Sequence, residues 1–450
     1  MHEDRWIVAT LALGLNMIAR SHNDNFAERS GLGTFCEMNA DRVRQAILSD
    51  YGANWQHRIV IRDYRMSGAI QASAFAANLD LICPSLLAGP SGNDMMLIML
   101  QHRMYRSLPV PTCGFRQFSM SVRRDHAFTD AISNAFDTTD ANAMSLPWEF
   151  VRFTREAAAG DGLINEWFAE AAREITNPVT RLVERQPSGI YSIREQVLPH
   201  RFRSLYFSIG RYLALAIVHG RPLGFRLSAV VYGQLIDQTP ILDDMVLEEP
   251  ELVRSLRLML GASADELEYY PLEINGVEVA VTMSNRQQLV GRKLGSLMPS
   301  GTEQQVLEMV RGFRSIIPLR ELGGVTVGNL SDLLYGNPTI NVEDLIDSFV
   351  LEGGHSVTDN HIRWLYETLR SYSNQKLSDF VRFALGTPMA PLGGFRTLNP
   401  RITIRLENNV RSYPRSKTCF HEIFLPKYTT KAILQDKLRE ALANNGAMQD

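Results

Sequence analysis

Arg411-Ser-Tyr-Pro-Arg-Ser-Lys-Thr-Cys-Phe-His-Glu-Ile-Phe-Leu-Pro-Lys-Tyr428 is the stretch whose reading decides the rest of the chain. Just before it, Ile402, Ile404 and Leu406 alternate with Thr403 and Arg405, the period-two pattern of a half-buried strand. Within it, Ile423-Phe-Leu425 is a short apolar run stopped by Pro426, which predicts a second short strand. Cys419, the only cysteine after Cys113, is therefore expected in a loop or at a strand edge beside a sheet. A thiolate is a nucleophile, and nearby cations lower the thiol pKa. Arg411, Arg415 and Lys417 stand just upstream. On local chemistry alone, a lone cysteine between Thr418 and Phe420 is more often a small buried hydrophobe.

Composition sets the outer limits. At 450 residues the chain has room for two or three domains, and 45% hydrophobic with 21% charged residues is ordinary for a globular protein. A net charge of −3 gives no general case for nucleic acid or an anionic membrane as partner. Glu3, Asp4 and Arg5 make the start too acidic for a signal peptide. The apolar run at 7–14 is shorter than the ~20 residues a membrane span needs. The expectation is a soluble protein of the cytoplasm, with the nucleus as a second compartment. Cys36, Cys83, Cys113 and Cys419 form no Cys-x-x-Cys pair, so reduced thiols are expected. His421-Glu422 begins a zinc-protease motif, but Leu425 ends it. Gly31-Leu-Gly33 lacks the third glycine of a dinucleotide loop. No metal or organic cofactor is implied.

Upstream of the cysteine stretch the chain reads as mostly helical. Residues 1–117 form a helical N-terminal segment of unknown role. Ile7, Leu11, Leu15 and Ile18 fall at helical spacing, and 94–105 is a Met-rich helix candidate. Pro109-Val-Pro-Thr-Cys-Gly114 reads as a connector. Residues 205–217 are apolar on almost every face apart from Arg211, which predicts a helix buried in a large domain. Gly353 and Gly354 relax the backbone where two helical regions are expected to meet. Beyond them, Ile362, Leu365, Tyr366 and Leu369 form one helical face, and Leu377, Phe380, Val381 and Ala384 another. Leu434, Leu438, Ala441 and Leu442 give a last helix its buried stripe.

Several motifs, taken together and in order, carry a resemblance. They are Phe118-Ser-Met-Ser-Val-Arg-Arg-Asp125, Asp161-Gly-Leu-Ile-Asn-Glu-Trp-Phe168, Val281-Thr-Met-Ser-Asn285, Gly386-Thr-Pro-Met-Ala-Pro-Leu-Gly-Gly-Phe395 and Thr418-Cys-Phe420. From about Phe118 to its end the chain resembles the HECT-type ubiquitin ligases. The resemblance implies an α+β, bilobal fold: a mainly helical N-lobe at 118–350, a hinge at 351–354 centred on Gly353 and Gly354, and a smaller α/β C-lobe at 355–450. It further implies that residues near 245–330 dock a ubiquitin-conjugating enzyme, with Tyr269 and Tyr270 as aromatic candidates. Trp167 and Phe168 are expected in the N-lobe core, with Glu166 structural.

The chemistry implied is covalent. Cys419 would accept ubiquitin as a thioester from the conjugating enzyme and pass it to a lysine of a protein substrate. Thr418, Phe420 and His421 complete the implied site. Thr418 is expected to hydrogen-bond near the thioester, Phe420 to pack the loop, and His421 to face solvent. Glu422 and Asp450 are candidate carboxylates for the second transfer. Lys417, His421 and Ala447 depart from the family's usual histidine, asparagine and phenylalanine. These departures keep an alternative open, a catalytically inactive scaffold that binds the ubiquitin machinery. A cysteine hydrolase is the weaker rival, because His421 lies too close in sequence to act as its base.

Overall fold

The computed structural model of the chain describes residues 87, 92–107, 118–132, 136, 144–145, 148, 150–154, 156, 162–194, 202–336, 339–353, 356–390, 394–395, 398 and 401–443. The expectations placed on 7–18, Gly354, Ala447 and Asp450 lie outside the described residues.

Two hydrophobic cores organise these residues. The first gathers helix α1 (Gly92–Ser107), strand β1 (Ser119–Val122), helix α2 (Ala127–Ala131), strand β2 (Phe150–Phe153) and helix α3 (Gly162–Thr176). It continues through the hairpin β3 (Val183–Arg185) and β4 (Tyr191–Ile193), then α4 (Phe202–Val218) and α5 (Ala229–Ile236). Helix α6 (Pro250–Gly261), the hairpin β5 (Leu272–Ile274) and β6 (Val277–Val279), and α7 (Arg286–Gly295) form its outlying part. Helices α8 (Glu303–Ile316) and α9 (Val327–Tyr335) complete it.

Helix α4 is the axis of this lobe, and its apolar faces are covered all round, as its sequence predicts. Tyr206, Ile209, Tyr212, Leu213 and Leu215 are fully buried. Helix α8 crosses it at very close range through two glycines. A Cβ at Gly210 would lie 2.0 Å from the Met309 carbonyl oxygen, and one at Gly312 would lie 1.9 Å from that of Phe207. Arg211, midway along α4, donates from Nη1 to the Phe136 carbonyl at 2.6 Å. Helix α1 is an integral part of the same core rather than of a separate N-terminal segment. Met95 and Met99 are fully buried, and Gln101 Nε2 donates to the Ile217 and Val218 carbonyls that end α4.

The second core begins at Ile340. It holds α10 (Val342–Asp347), the two-residue strand β7 (Val350–Leu351), α11 (Asn360–Arg370) and α12 (Asn374–Leu385). Strands β8 (Thr403–Glu407), β9 (Arg415–Lys417) and β10 (Glu422–Pro426) and helix α13 (Lys431–Ala443) follow. The sheet order is β7-β8-β10-β9, with β10 parallel to β8 and antiparallel to β9. The alternation read at 402–406 falls on β8, and the apolar run at 423–425 on β10. Ile404, Ile423 and Leu425 are buried at 1%, 1% and 0% exposure.

The two cores show where the lobes divide. The first core ends at Leu334 and the second starts at Ile340, so the two cores divide between these residues, upstream of the hinge expected at 351–354. Leu345 and Ile346 of α10 bury in the second core, and β7 is the edge strand of the second sheet. Gly353 (φ +81) turns the chain from β7 toward α11, so it lies inside the second lobe. The positive-φ residue at the crossing is Gly336, at φ +91 and ψ 176. A Cβ there would lie 2.5 Å from Pro222 Cβ.

Candidate active site

The Cys419 stretch folds as a strand, a single turn and a strand. Strand β9 runs into a one-turn 3-10 helix over Thr418–Phe420, and β10 begins two residues later. Cys419 is the middle residue of that turn; its side chain lies outside the described part of the structure. His421 makes the exit from the turn at φ 53, in the left-handed region that few side chains adopt readily. Asparagine and histidine are among those that do, which explains how His421 can stand where the resembled family usually has asparagine. Its carbonyl accepts from Thr403 N at 2.8 Å, fixing the turn to β8.

The side chains around the turn differ from expectation in three places. His421 is buried, at 8% exposure, rather than solvent-facing. Phe420 is 54% exposed and does not pack the loop. The cations upstream have other partners: Arg415 pairs with Glu407, and both Arg415 and Lys417 lie over the Phe424 ring, at 4.8 and 5.2 Å from its centroid. Of the two candidate carboxylates, Glu422 accepts from Arg405 Nη2 at 2.8 Å.

Thr418 reaches across to the other lobe. Its hydroxyl is buried and donates to Glu166 Oε1 on α3, 252 positions earlier in the chain. Glu166 is 7% exposed, and a buried carboxylate is stable only when paired. Its Oε2 accepts from Arg124 Nη2 at 2.9 Å. Arg124 in turn grips Glu156 with two bonds of 2.9 and 2.8 Å and approaches Glu170 at 3.7 Å. The bonds to Glu156 first, and then to Glu166, hold the Arg124 guanidinium above the ordinary arginine range despite its partial burial. Trp167 and Phe168, beside Glu166, are in the core as expected.

Two further contacts close the seam. Gly386 (φ +77) lies where a Cβ would meet Glu166 Cγ at 3.3 Å and Thr418 Cβ at 3.8 Å, so the absence of a side chain brings the loop, α3 and the turn together. Met389 is 5% exposed and belongs to neither core; a Cβ at Gly336 or at Gly224 would lie 3.1 or 3.4 Å from its side chain. The Gly-Gly-Phe loop is anchored from below: Phe395 N donates to Asp344 Oδ2 at 2.7 Å, and Gly394 (φ +87) leaves room for that carboxylate. Among the described residues no group of three His, Cys, Asp or Glu side chains is placed to hold a metal ion. No helix among them is long and apolar enough to cross a membrane.

Sequence reasoning therefore located the turn but missed its partner. One signal for Glu166 was available. Leu163, Glu166 and Trp167 share a helical face, and a carboxylate on a buried face requires a cation. Arg124 is that cation.

A family model described as HECT-domain (ubiquitin-transferase) matches residues 169–449, which include the Thr418–Phe420 turn and all of the second core. The chain is 26% identical over 354 residues to the E3 ubiquitin-protein ligase ptr1 of Schizosaccharomyces pombe, covering 73% of this chain and 11% of that protein. It is 28% identical over 310 residues to the E3 ubiquitin-protein ligase Smurf1 of Drosophila melanogaster, covering 62% of this chain and 29% of the relative. To the E3 ubiquitin-protein ligase RSP5 of Chaetomium thermophilum it is 26% identical over 367 residues, covering 75% and 44%. The chain thus spans less than half the length of these curated relatives. A matched region covering well over half of the chain, two lobes and a cysteine turn at their seam lead to one conclusion: this chain belongs to the HECT-domain (ubiquitin-transferase) family.

Proposed function

We propose that this chain takes ubiquitin from a conjugating enzyme as a thioester on Cys419 and passes it to a lysine of a protein substrate. The observation that carries this reading is the docking of the Thr418–Phe420 turn on α3 through Glu166, which places the cysteine backbone at the seam between two lobes. In the first transfer the Cys419 thiolate attacks the incoming thioester carbonyl, and the conjugating enzyme's cysteine leaves as thiolate. One thioester replaces another, so positioning rather than driving force sets the rate. In the second, a substrate amine attacks the Cys419 thioester and Cys419 leaves. Phe420, exposed beside the cysteine, offers an apolar surface to whatever lies against the turn.

Leu258, Tyr269, Val277 and Met283, all more than half exposed on the outlying part of the first lobe, support reading 245–330 as the docking face for the conjugating enzyme. Tyr269 is the stronger aromatic candidate, because Tyr270 packs against the core. We place the reaction in the cytoplasm, with the nucleus as a second compartment, on the evidence of few and widely spaced cysteines.

The reading is tested by a chase. Protein charged with labelled ubiquitin is mixed with an amine acceptor, and transfer is followed as the loss of label from the chain and its gain by the acceptor. Carrying ubiquitin between two docked proteins requires the second lobe to pivot, and the crossing at 336–339 is where the cores permit it. The ψ of 176 at Gly336 already suits a following proline. Asn337→Pro, which places a second proline beside Pro338, is therefore expected to slow the chase several-fold with both cores folded. Wild-type transfer rates in this variant would place the pivot elsewhere.

A further inference from the structure

Of the 46 cationic side chains in the sequence, only six are lysine: Lys293, Lys376, Lys417, Lys427, Lys431 and Lys437. The first 292 residues contain none. Charge does not explain the choice, because lysine and arginine carry the same unit charge at neutral pH. Ion-pair geometry explains part of it. Arg123, Arg124 and Arg370 each grip a carboxylate with two bonds, which lysine cannot do. It does not explain Arg185, Arg254 and Arg292, which are exposed and take part in no ion pair shown among the described residues.

What separates the two side chains is reactivity toward a thioester. At neutral pH about 0.04% of an ordinary lysine amine is unprotonated and nucleophilic, whereas a guanidinium stays protonated. We infer that the near-exclusion of lysine shields this chain from the ubiquitin it carries, directing the second transfer outward to other proteins. The inference rests on the reading of Cys419 as the ubiquitin carrier. In the reaction avoided, a lysine Nζ attacks the thioester carbonyl carbon. An amide C–N bond forms, the C–S bond breaks, Cys419 leaves as thiolate, and the amine's proton passes to a base in solvent.

The placement of the six follows the same logic. A lysine in the second lobe travels with Cys419 and keeps a fixed separation from it. A lysine on the first lobe would be passed by the thioester each time the lobes pivot. Five of the six are in the second lobe, after Ile340. The one in the first lobe, Lys293, is held by a bond of 2.7 Å from Nζ to the Glu273 carbonyl. In the second lobe Lys431 pairs with Glu367 at 2.7 Å, and the amines of Lys376, Lys417 and Lys437 lie over aromatic rings.

The test restores lysine without changing charge. Arg152→Lys, Arg173→Lys, Arg181→Lys and Arg185→Lys are combined in one chain; all four positions are exposed on the first lobe and lie outside the 245–330 docking face. Both chains are charged with labelled ubiquitin and chased without any acceptor. Reductant-resistant ubiquitin on the chain measures self-modification, and the reductant-sensitive adduct measures charging. Self-modification is expected to rise about fivefold or more in the variant, with charging within about twofold of wild type. Equal self-modification in the two chains, with Cys419 charged in both, would overturn the inference. Absence of any reductant-sensitive adduct would overturn the function itself, and the gel run without reductant shows that outcome separately.

Discussion

Gly312→Ala is expected to destabilise the first lobe by about 3 kcal/mol or more, because the added methyl has nowhere to go. Its Cβ would sit 1.9 Å from the Phe207 carbonyl oxygen and 2.7 Å from the carbonyl carbon. These are backbone atoms of α4, so no rotamer change relieves the clash. The two helices must separate, and with them the rings and aliphatic side chains packed along both. Gly210 makes the reciprocal approach to Met309, so the crossing fails from either side. At roughly 2–4 °C per kcal/mol for a unit of this size, the midpoint of thermal unfolding should fall by about 6–12 °C. Gly291→Ala provides the control: Gly291 lies within α7 with nothing within 4 Å of its Cβ position. There the same change should stabilise by roughly 0.5–1 kcal/mol, from helix propensity alone. Thermal melts of the two variants check both signs, and a Gly312→Ala melt that matches wild type would contradict the helix crossing.

Glu166→Ala is expected to slow ubiquitin transfer about tenfold or more without unfolding either lobe. Glu166 is the one carboxylate shared by Arg124 of the first lobe and Thr418 of the second. Truncating one partner of a buried, charged hydrogen bond costs roughly 2–5 kcal/mol at an interface. A loss of ~3 kcal/mol lowers the population of the docked turn about a hundredfold relative to undocked arrangements. Arg124 keeps its two bonds to Glu156, so the first lobe itself retains most of its pairing. Glu166→Gln keeps an acceptor for Thr418 but loses the charge facing Arg124, and a smaller effect is expected. Single-turnover rates for charging of Cys419 and for its discharge to an amine separate the two steps. Wild-type rates in both steps for Glu166→Ala would show that the docked arrangement is not used in transfer.

What the sequence made legible followed the reach of each signal. Strands β8 and β10 were readable because their signals are local, alternation in the first and an apolar run stopped by Pro426 in the second. Strand β9 was not, because Arg415-Ser-Lys417 has no apolar member. It joins the sheet through its backbone, at an edge where both faces of the strand remain accessible to polar side chains. The boundary between the cores was not legible, because Gly353-Gly354 has the composition of a linker, whereas the boundary is defined by which core claims Leu345 and Ile346. That is a tertiary property with no periodic signature. His421 and Phe420 were assigned by residue type, and the turn reversed both: a left-handed exit turns His421 inward and leaves Phe420 outside. Glu166 was read as part of a structural motif, which it is, but its second partner lies 252 residues away and no window on the sequence contains both.

The central claim is that Cys419 carries ubiquitin, and one measurement addresses it directly. The chain and its Cys419→Ala variant are each incubated with activating enzyme, a panel of conjugating enzymes and labelled ubiquitin, then run on gels with and without reductant. The expected result is an adduct on the wild-type chain that disappears with reductant and never forms on Cys419→Ala. A folded chain that yields no adduct with any conjugating enzyme, or an equal adduct on Cys419→Ala, would contradict the claim.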